Sequence, residues 1–141
     1  MPIRNCPLTR IYEESLPRLI LPIRIINPHT DKHYKTRGII DTGADECSIP
    51  AGIAKILGHN LKAGNINMAG TAAGDCLTYS HTTTIEILHP DTDEVIYKME
   101  NVLIDYMPKL QEVLLGVTGF LEKFILEINY PKQIFSLKLP K

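Results

Sequence analysis

Gly38-Ile39-Ile40-Asp41-Thr42-Gly43-Ala44-Asp45 is the stretch on which the reading of this chain turns. A short apolar run ends abruptly in Asp-Thr-Gly. Asp is poor in strands, and a buried charge costs several kcal/mol unless something pairs it. Gly43 lets the backbone turn tightly and approach the carboxylate. Thr42 adds a hydroxyl that donates and accepts. Together they describe a carboxylate held in a fixed loop by backbone and hydroxyl groups, as a catalytic acid or base is. Asp-Thr-Gly alone also describes a hairpin turn capped by its own aspartate. The context adds weight to the first reading: an apolar strand leads in, Ala44-Asp45 follows, and Ile49-Pro50 closes the segment.

Outward from this loop the chain reads as short strands. Leu19–Asn27 is rich in aliphatic and β-branched residues, and Pro28-His29-Thr30-Asp31-Lys32 is a turn signal. Tyr34–Ile40 returns, so a hairpin delivers Asp41. Residues 1–18, with three prolines, read as an irregular arm. Downstream, Cys47–Ile49 is a short strand, and Gly52–Leu57 is a helical turn or two stopped by Gly58. Gly64–Tyr79 carries Gly64, Gly70 and Gly74 among Ala69, Thr71, Ala72 and Ala73. It reads as a hairpin with a small-residue tip at about 69–75. Such a tip is either a long surface turn or a flap that brings backbone amides onto a bound peptide. Thr82–Leu88, Val95–Met99 and Asn101–Ile104 are further strands. Asp91-Thr92-Asp93 is the tip of a polar hairpin, without an apolar run leading in. Val113-Leu114-Leu115-Gly116 is an apolar run ending in glycine. Thr118–Phe124 fits a short helix capped by Thr118, and Leu126–Asn129 with Gln133–Leu137 forms a last hairpin. Many short strands and frequent turns predict an all-β domain with one late helix.

The order of these parts resembles the retropepsin-like (retroviral-type) aspartic proteases, from about residue 19 to residue 137. The resemblance rests on Asp41-Thr42-Gly43-Ala44 after a strand, the glycine-rich hairpin, Leu114-Leu115-Gly116, the short helix and the terminal strand. It implies an all-β, retropepsin-like half-barrel with one short C-terminal helix, in which residues 19–141 form a single aspartic protease domain behind the arm 1–18. It implies that Asp41 is the catalytic aspartate and that Thr42 bonds across to an opposing loop. Gly43, Ala44 and Asp45 would meet substrate, as would Ala69, Gly70, Thr71 and Ala72 on the hairpin tip. Leu114, Leu115 and Gly116 would pack beneath the loop. One departure stands out. Many members follow the apolar-apolar-Gly run with Arg, paired to the carboxylate at the Asp45 position; here that place is Val117. Asp45 must then find Arg10, Arg18 or Arg24, or stay solvated.

One aspartate cannot run metal-free peptide hydrolysis, which needs both a base and an acid. Two nearby carboxylates can share one proton. The chain has a single Asp-Thr-Gly, so the second carboxylate must come from a second copy across a two-fold axis. The expected protein is therefore a homodimeric aspartic endopeptidase acting on a peptide or protein, with no cofactor. The other class of reading is a catalytically inactive peptide-binding or dimerisation module that kept the loop. A third is a plain β-domain with Asp41 in a turn.

Bulk properties narrow the field. With 141 residues the chain can bury its own core. A net charge of -1 gives no sign of a nucleic-acid or membrane-surface partner. No apolar run approaches the roughly 20 residues of a membrane span, and the first residues lack the apolar stretch of a secretory signal. Cys6, Cys47 and Cys76 are an odd count without close spacing. That argues against a disulfide framework and for a reducing compartment, the cytoplasm. No cysteine pair is close enough to form a metal knuckle with the histidines.

Overall fold

The structure is a computed structural model that describes residues 3–71 and 74–140. Its strands are β1 (Ile3–Pro7), β2 (Ile20–Ile26), β3 (His33–Ile40), β4 (Ser48–Pro50), β5 (Asn65–Thr71), β6 (Gly74–Leu88), β7 (Val95–Met107), β8 (Val113–Leu115), β9 (Ile125–Asn129) and β10 (Ile134–Lys138). The one α-helix, α1, spans Gly52–Ile56. Seven strands lie in the order β2-β3-β8-β4-β7-β6-β5, and β2 also pairs with β6. That extra pairing closes six of them into a barrel and leaves β5 as an appendage on β6. A second sheet, β1-β10-β9, holds the two ends of the chain together.

Alternation builds the barrel. Along β2, Leu21, Ile23 and Ile25 point inward and are fully buried, while their neighbours are half-buried. β3 returns against β2 with Ile20 opposite Ile39 and Ile26 opposite His33. Ile85 and Ile87 of β6 face the same interior, opposite Ile25 and Ile23. Ile49, Leu57, Tyr106, Leu115 and Phe120 complete the centre of the core. Gly38 is required where β3 crosses Leu115: a Cβ there would lie 2.9 Å from Leu115 Cδ1.

Three expectations are modified. The arm 1–18 contains a strand, because β10 offers an edge: Cys6 pairs with Phe135, Ile3 with Leu137, and both Ile3 and Cys6 are buried. Asn5 bulges between them with φ 52, its N–H donating to Ser136 Oγ at 3.0 Å. Second, the pieces read as separate strands on either side of Ser80-His81 and Glu100 are continuous in β6 and β7. Their ladder is irregular at two places, between Thr83 and Ile85 and between Ile87 and Leu88. Across from the first, Asn101 takes φ 51 and donates its N–H to Thr84 Oγ1 at 3.2 Å. Third, the short C-terminal helix is a single 3-10 turn, Leu121–Lys123, with Phe120 at its N-cap. Thr118 does not cap it, since the N-cap lies two residues later; Thr118 N–H donates to the carbonyl of Asp45 at 2.7 Å. Gly58 does stop α1, at φ 79. All three cysteines are free, and no helix among the described residues is long and apolar enough to cross a membrane.

Leu115 is fully buried where β8 meets β3. Leu115→Ala should therefore lower unfolding stability by about 3 kcal/mol, read as a fall in the urea midpoint at unchanged slope. A loss below about 1 kcal/mol would mean that this corner of the barrel is loosely packed.

Candidate active site

β3 carries the chain to Ile40 and releases it at Asp41. β8 runs parallel to β3 with Gly38, Ile39 and Ile40 beside Val113, Leu114 and Leu115. Asp41 N–H then donates to Leu115 O at 3.0 Å, the last rung between the two. Within the loop, Gly43 N–H donates to Asp41 Oδ1 at 2.9 Å, and Ala44 N–H to Asp41 O at 3.2 Å. The carboxylate is thus oriented by the backbone of its own loop while half-exposed to solvent. Thr42, Gly43 and Asp45 are exposed, and Ala44 is half-buried.

Gly116 locks this loop to β8. Beyond it, Val117 N–H donates to Ala44 O at 3.0 Å and Thr118 N–H to Asp45 O at 2.7 Å. The two backbones run so close that a Cβ on Gly116 would lie 2.6 Å from the carbonyl carbon of Glu46 and 2.7 Å from Ala44 O. Gly116 N–H donates instead to the sulfur of Cys47 at 3.4 Å. Leu114-Leu115-Gly116 therefore lies directly against the Asp41 loop. Cys47 itself was missed by sequence reasoning as a structural link. No spacing rule announces a sulfur that accepts from an amide 69 residues away.

Electrostatics separate the two groups able to do chemistry here. Burial pushes the Cys47 thiol up; the Gly116 N–H opposes this and Glu46 adds to it. A buried, protonated thiol is a poor nucleophile, so Cys47 is not the reacting group. Asp45 is exposed, and among the described residues no cation lies within ion-pair reach of it. Arg24 is taken by Glu86 at 2.8 Å, and Arg10 donates to Ser15 O at 2.6 Å. Of the two outcomes expected for Asp45, the chain shows the solvated one.

The remaining candidates sit elsewhere. Ala69, Gly70 and Thr71 lie at the far end of β5, opposite Cys76, Asp75 and Gly74 of β6. They belong to a hairpin, on a different element from the Asp41 loop. Ala72 lies outside the described residues. A groove of about 790 Å³ is on the terminal sheet, lined by Arg4, Ile128, Tyr130 and Phe135 among others. A second cavity of about 420 Å³ lies behind the loop, against Glu46, Cys47, Tyr97 and Met99. Neither of these two is lined by Asp41. Among the described residues no three His, Cys, Asp or Glu side chains converge as a metal-binding group.

The chain is similar to a crystal structure of a retropepsin-like aspartic protease from Rickettsia conorii. The TM-score is 0.59 at 19% identity, over 87% of this chain and 100% of that one. This likeness shows the fold: an all-β, retropepsin-like half-barrel. No protein-family model matches the chain, and no curated protein matches it.

Removing the sulfur tests the lock. Cys47→Val leaves the Gly116 N–H buried without an acceptor and should cost about 1–3 kcal/mol of stability. Cys47→Ser keeps an acceptor and should cost less. Urea unfolding of both variants checks the order, and a Val variant as stable as the wild type would contradict it.

Proposed function

We propose that this chain is an aspartic endopeptidase, active as a homodimer in which two Asp41 carboxylates face each other. The observation that carries the reading is the Asp41 loop. Its carboxylate is aimed by the Gly43 N–H, left open to solvent, and locked from behind by Gly116. A turn aspartate with only a capping role needs no such backing. The retropepsin-like fold supports the reading. One chain holds one Asp-Thr-Gly aspartate, which on this reading is half of a site.

The chemistry follows from two acids that share a proton. The charged Asp41 takes a proton from a water molecule held between the pair. The water oxygen attacks the peptide carbonyl carbon while the protonated Asp41 gives its proton to the carbonyl oxygen. A neutral tetrahedral diol results. A carboxyl then protonates the peptide nitrogen, the C–N bond breaks, and one diol hydroxyl returns its proton as the new carboxylic acid forms. The two carboxylates end as they began, sharing one proton. Thr42 hydroxyls tie the two loops together, Gly43 to Asp45 line the substrate backbone, and the β5–β6 hairpin, with Ala69, Gly70 and Thr71 towards its tip, covers the bound peptide. The substrate is a peptide or unfolded protein segment.

One observation favours a second reading, an inactive peptide-binding or dimerisation module. Val117 stands where many family members have Arg, and Asp45 has no cation within reach among the described residues. Incubation with a proteome-derived peptide library, read by mass spectrometry, separates the two: cleavage products support the endopeptidase, and bound but intact peptides support the module.

Asp41→Asn should lower hydrolysis by at least about 10²–10⁴-fold and leave a folded dimer. Mixed with the wild type, it should also poison it. After full exchange of equal amounts, about one quarter of dimers are doubly wild-type, so activity per wild-type chain falls to about half. A flat titration, with exchange confirmed by native mass spectrometry, would refute the shared site.

Turnover should be bell-shaped in pH and highest on the acid side of neutrality. Loss of the shared proton and gain of a second are each inactivating, and the limbs belong to the pair. A rate that climbs steadily to pH 9 would contradict a carboxylate pair.

A further inference from the structure

His59 is held at a corner where the end of α1, the strands β6 and β7, and the chain just past β2 come together. After α1, Gly58 turns the chain back and His59 N–H donates to Ala54 O at 2.9 Å. The imidazole lies 4.5 Å from the His81 ring on β6 and 5.6 Å from the Tyr106 ring on β7. Its Nδ1 is 3.4 Å from Asn27 Nδ2, just past β2. The Asn27 amide cannot turn over. Its Oδ1 accepts from His29 N–H at 2.9 Å and its Nδ2 donates to Leu57 O at 2.8 Å. It therefore offers His59 only an N–H. Nδ1 must be bare, and the proton of the neutral ring sits on Nε2, which is buried with no partner among the described residues. A charged ring would set Nδ1–H against the Asn27 amide N–H.

This corner holds the root of the β5–β6 hairpin. His81 Nε2 donates to Leu61 O at 2.8 Å. Gly64, the residue before β5, is pressed against the same strand: a Cβ there would lie 2.7 Å from His81 Nε2 and 2.5 Å from Ser80 O. Residues 58–64 therefore reach β5 through the stacked histidines. The titratable groups facing His59 are His29 from the β2–β3 turn, His81 from β6 and Tyr106 from β7, with Lys32 against Gly58. None supplies a negative charge, since burial pushes the Tyr106 phenol up to about 12.

We propose that neutral His59 is an acid-released pin: protonation breaks its fit to Asn27 and His81, freeing residues 58–64 and loosening the root of the β5–β6 hairpin. The inference does not rest on the protease reading. Burial first, then His81 and His29, lower His59 from 6.5 to about 4. A freed ring takes up its proton near 6.5. The closed form's advantage is thus whole above about pH 6.5 and shrinks as pH falls toward 4. With these two values the opening constant rises up to about twentyfold between pH 7 and pH 5; the ring's partial exposure makes that an upper figure.

The test is hydrogen exchange at pH 7, 6 and 5 on the full Asp41→Asn chain, which removes self-cleavage, with rates corrected for intrinsic exchange. Peptides covering 58–68 should lose protection by about tenfold relative to β9 and β10 as pH falls. His59→Phe should remove that pH dependence. If it fails to fold, His59→Gln, uncharged and able to accept from Asn27 through its carbonyl, should do the same. Equal pH-dependent loss in the variants and the parent, no loss in the parent, or a loss shared by the terminal sheet would each overturn the proposal.

Discussion

Everything near Asp41 depends on two backbones that pass each other without side chains between them. Gly116 lies against the carbonyls of Ala44 and Glu46, closer than a Cβ allows. That approach lets the 41–45 loop exchange hydrogen bonds with residues 115–118 on both sides of the crossing. A loop tied this way has few alternative conformations, so the carboxylate is aimed before any ligand arrives. Hydrophobic packing sets the platform, through Leu115 and Ile40, but it is non-directional. The hydrogen bonds and the missing Cβ set the direction.

The same crossing explains what the sequence reveals and what it hides. A period of two is a strong signal, so β2 and β3 can be read from their alternation, and Gly58 from its place after α1. The Asp-Thr-Gly loop and the Leu-Leu-Gly run are each legible as oddities. Their contact is not, because it joins residues far apart through parallel pairing, which no local pattern encodes. β6 and β7 read as four pieces because polar residues within a ladder look like turns. They are carried through by pairing on both sides. β1 was invisible because Pro7 and the polar Arg4-Asn5 hide a strand made only by the edge of β10. Thr118 looks like a helix cap, yet the turn starts only after Phe120, and Thr118 instead ties its backbone to the loop.

Charge around the site is sparse. Arg24 and Arg37 are each taken by a glutamate on a neighbouring element, Glu86 and Glu112. Such part-exposed pairs contribute little to stability. With Val117 beside it, Asp45 remains solvated and free to meet a donor from outside the chain. An uncompensated carboxylate also favours cationic over anionic groups beside it.

On the proposed readings, acid would act on this molecule at two separate places with opposite consequences. A carboxylate pair would need a proton to work, so lowering the pH from neutrality would supply what the chemistry lacks. A neutral histidine wedged between Asn27 and His81 is harmed by that same proton, because its corner holds no negative charge to receive a cation. The first group lies at the end of β3, backed by β8. The second lies where α1 gives way to β5. Both are reached through the one closed sheet, since β3 pairs with β2, β2 with β6, and β6 carries His81. A retropepsin-like chain built this way would gain a competent acid–base pair and a looser hairpin over the same descending pH range. The usable window would then be narrower than the carboxylates alone would set, with its acid edge belonging partly to an imidazole that never touches substrate.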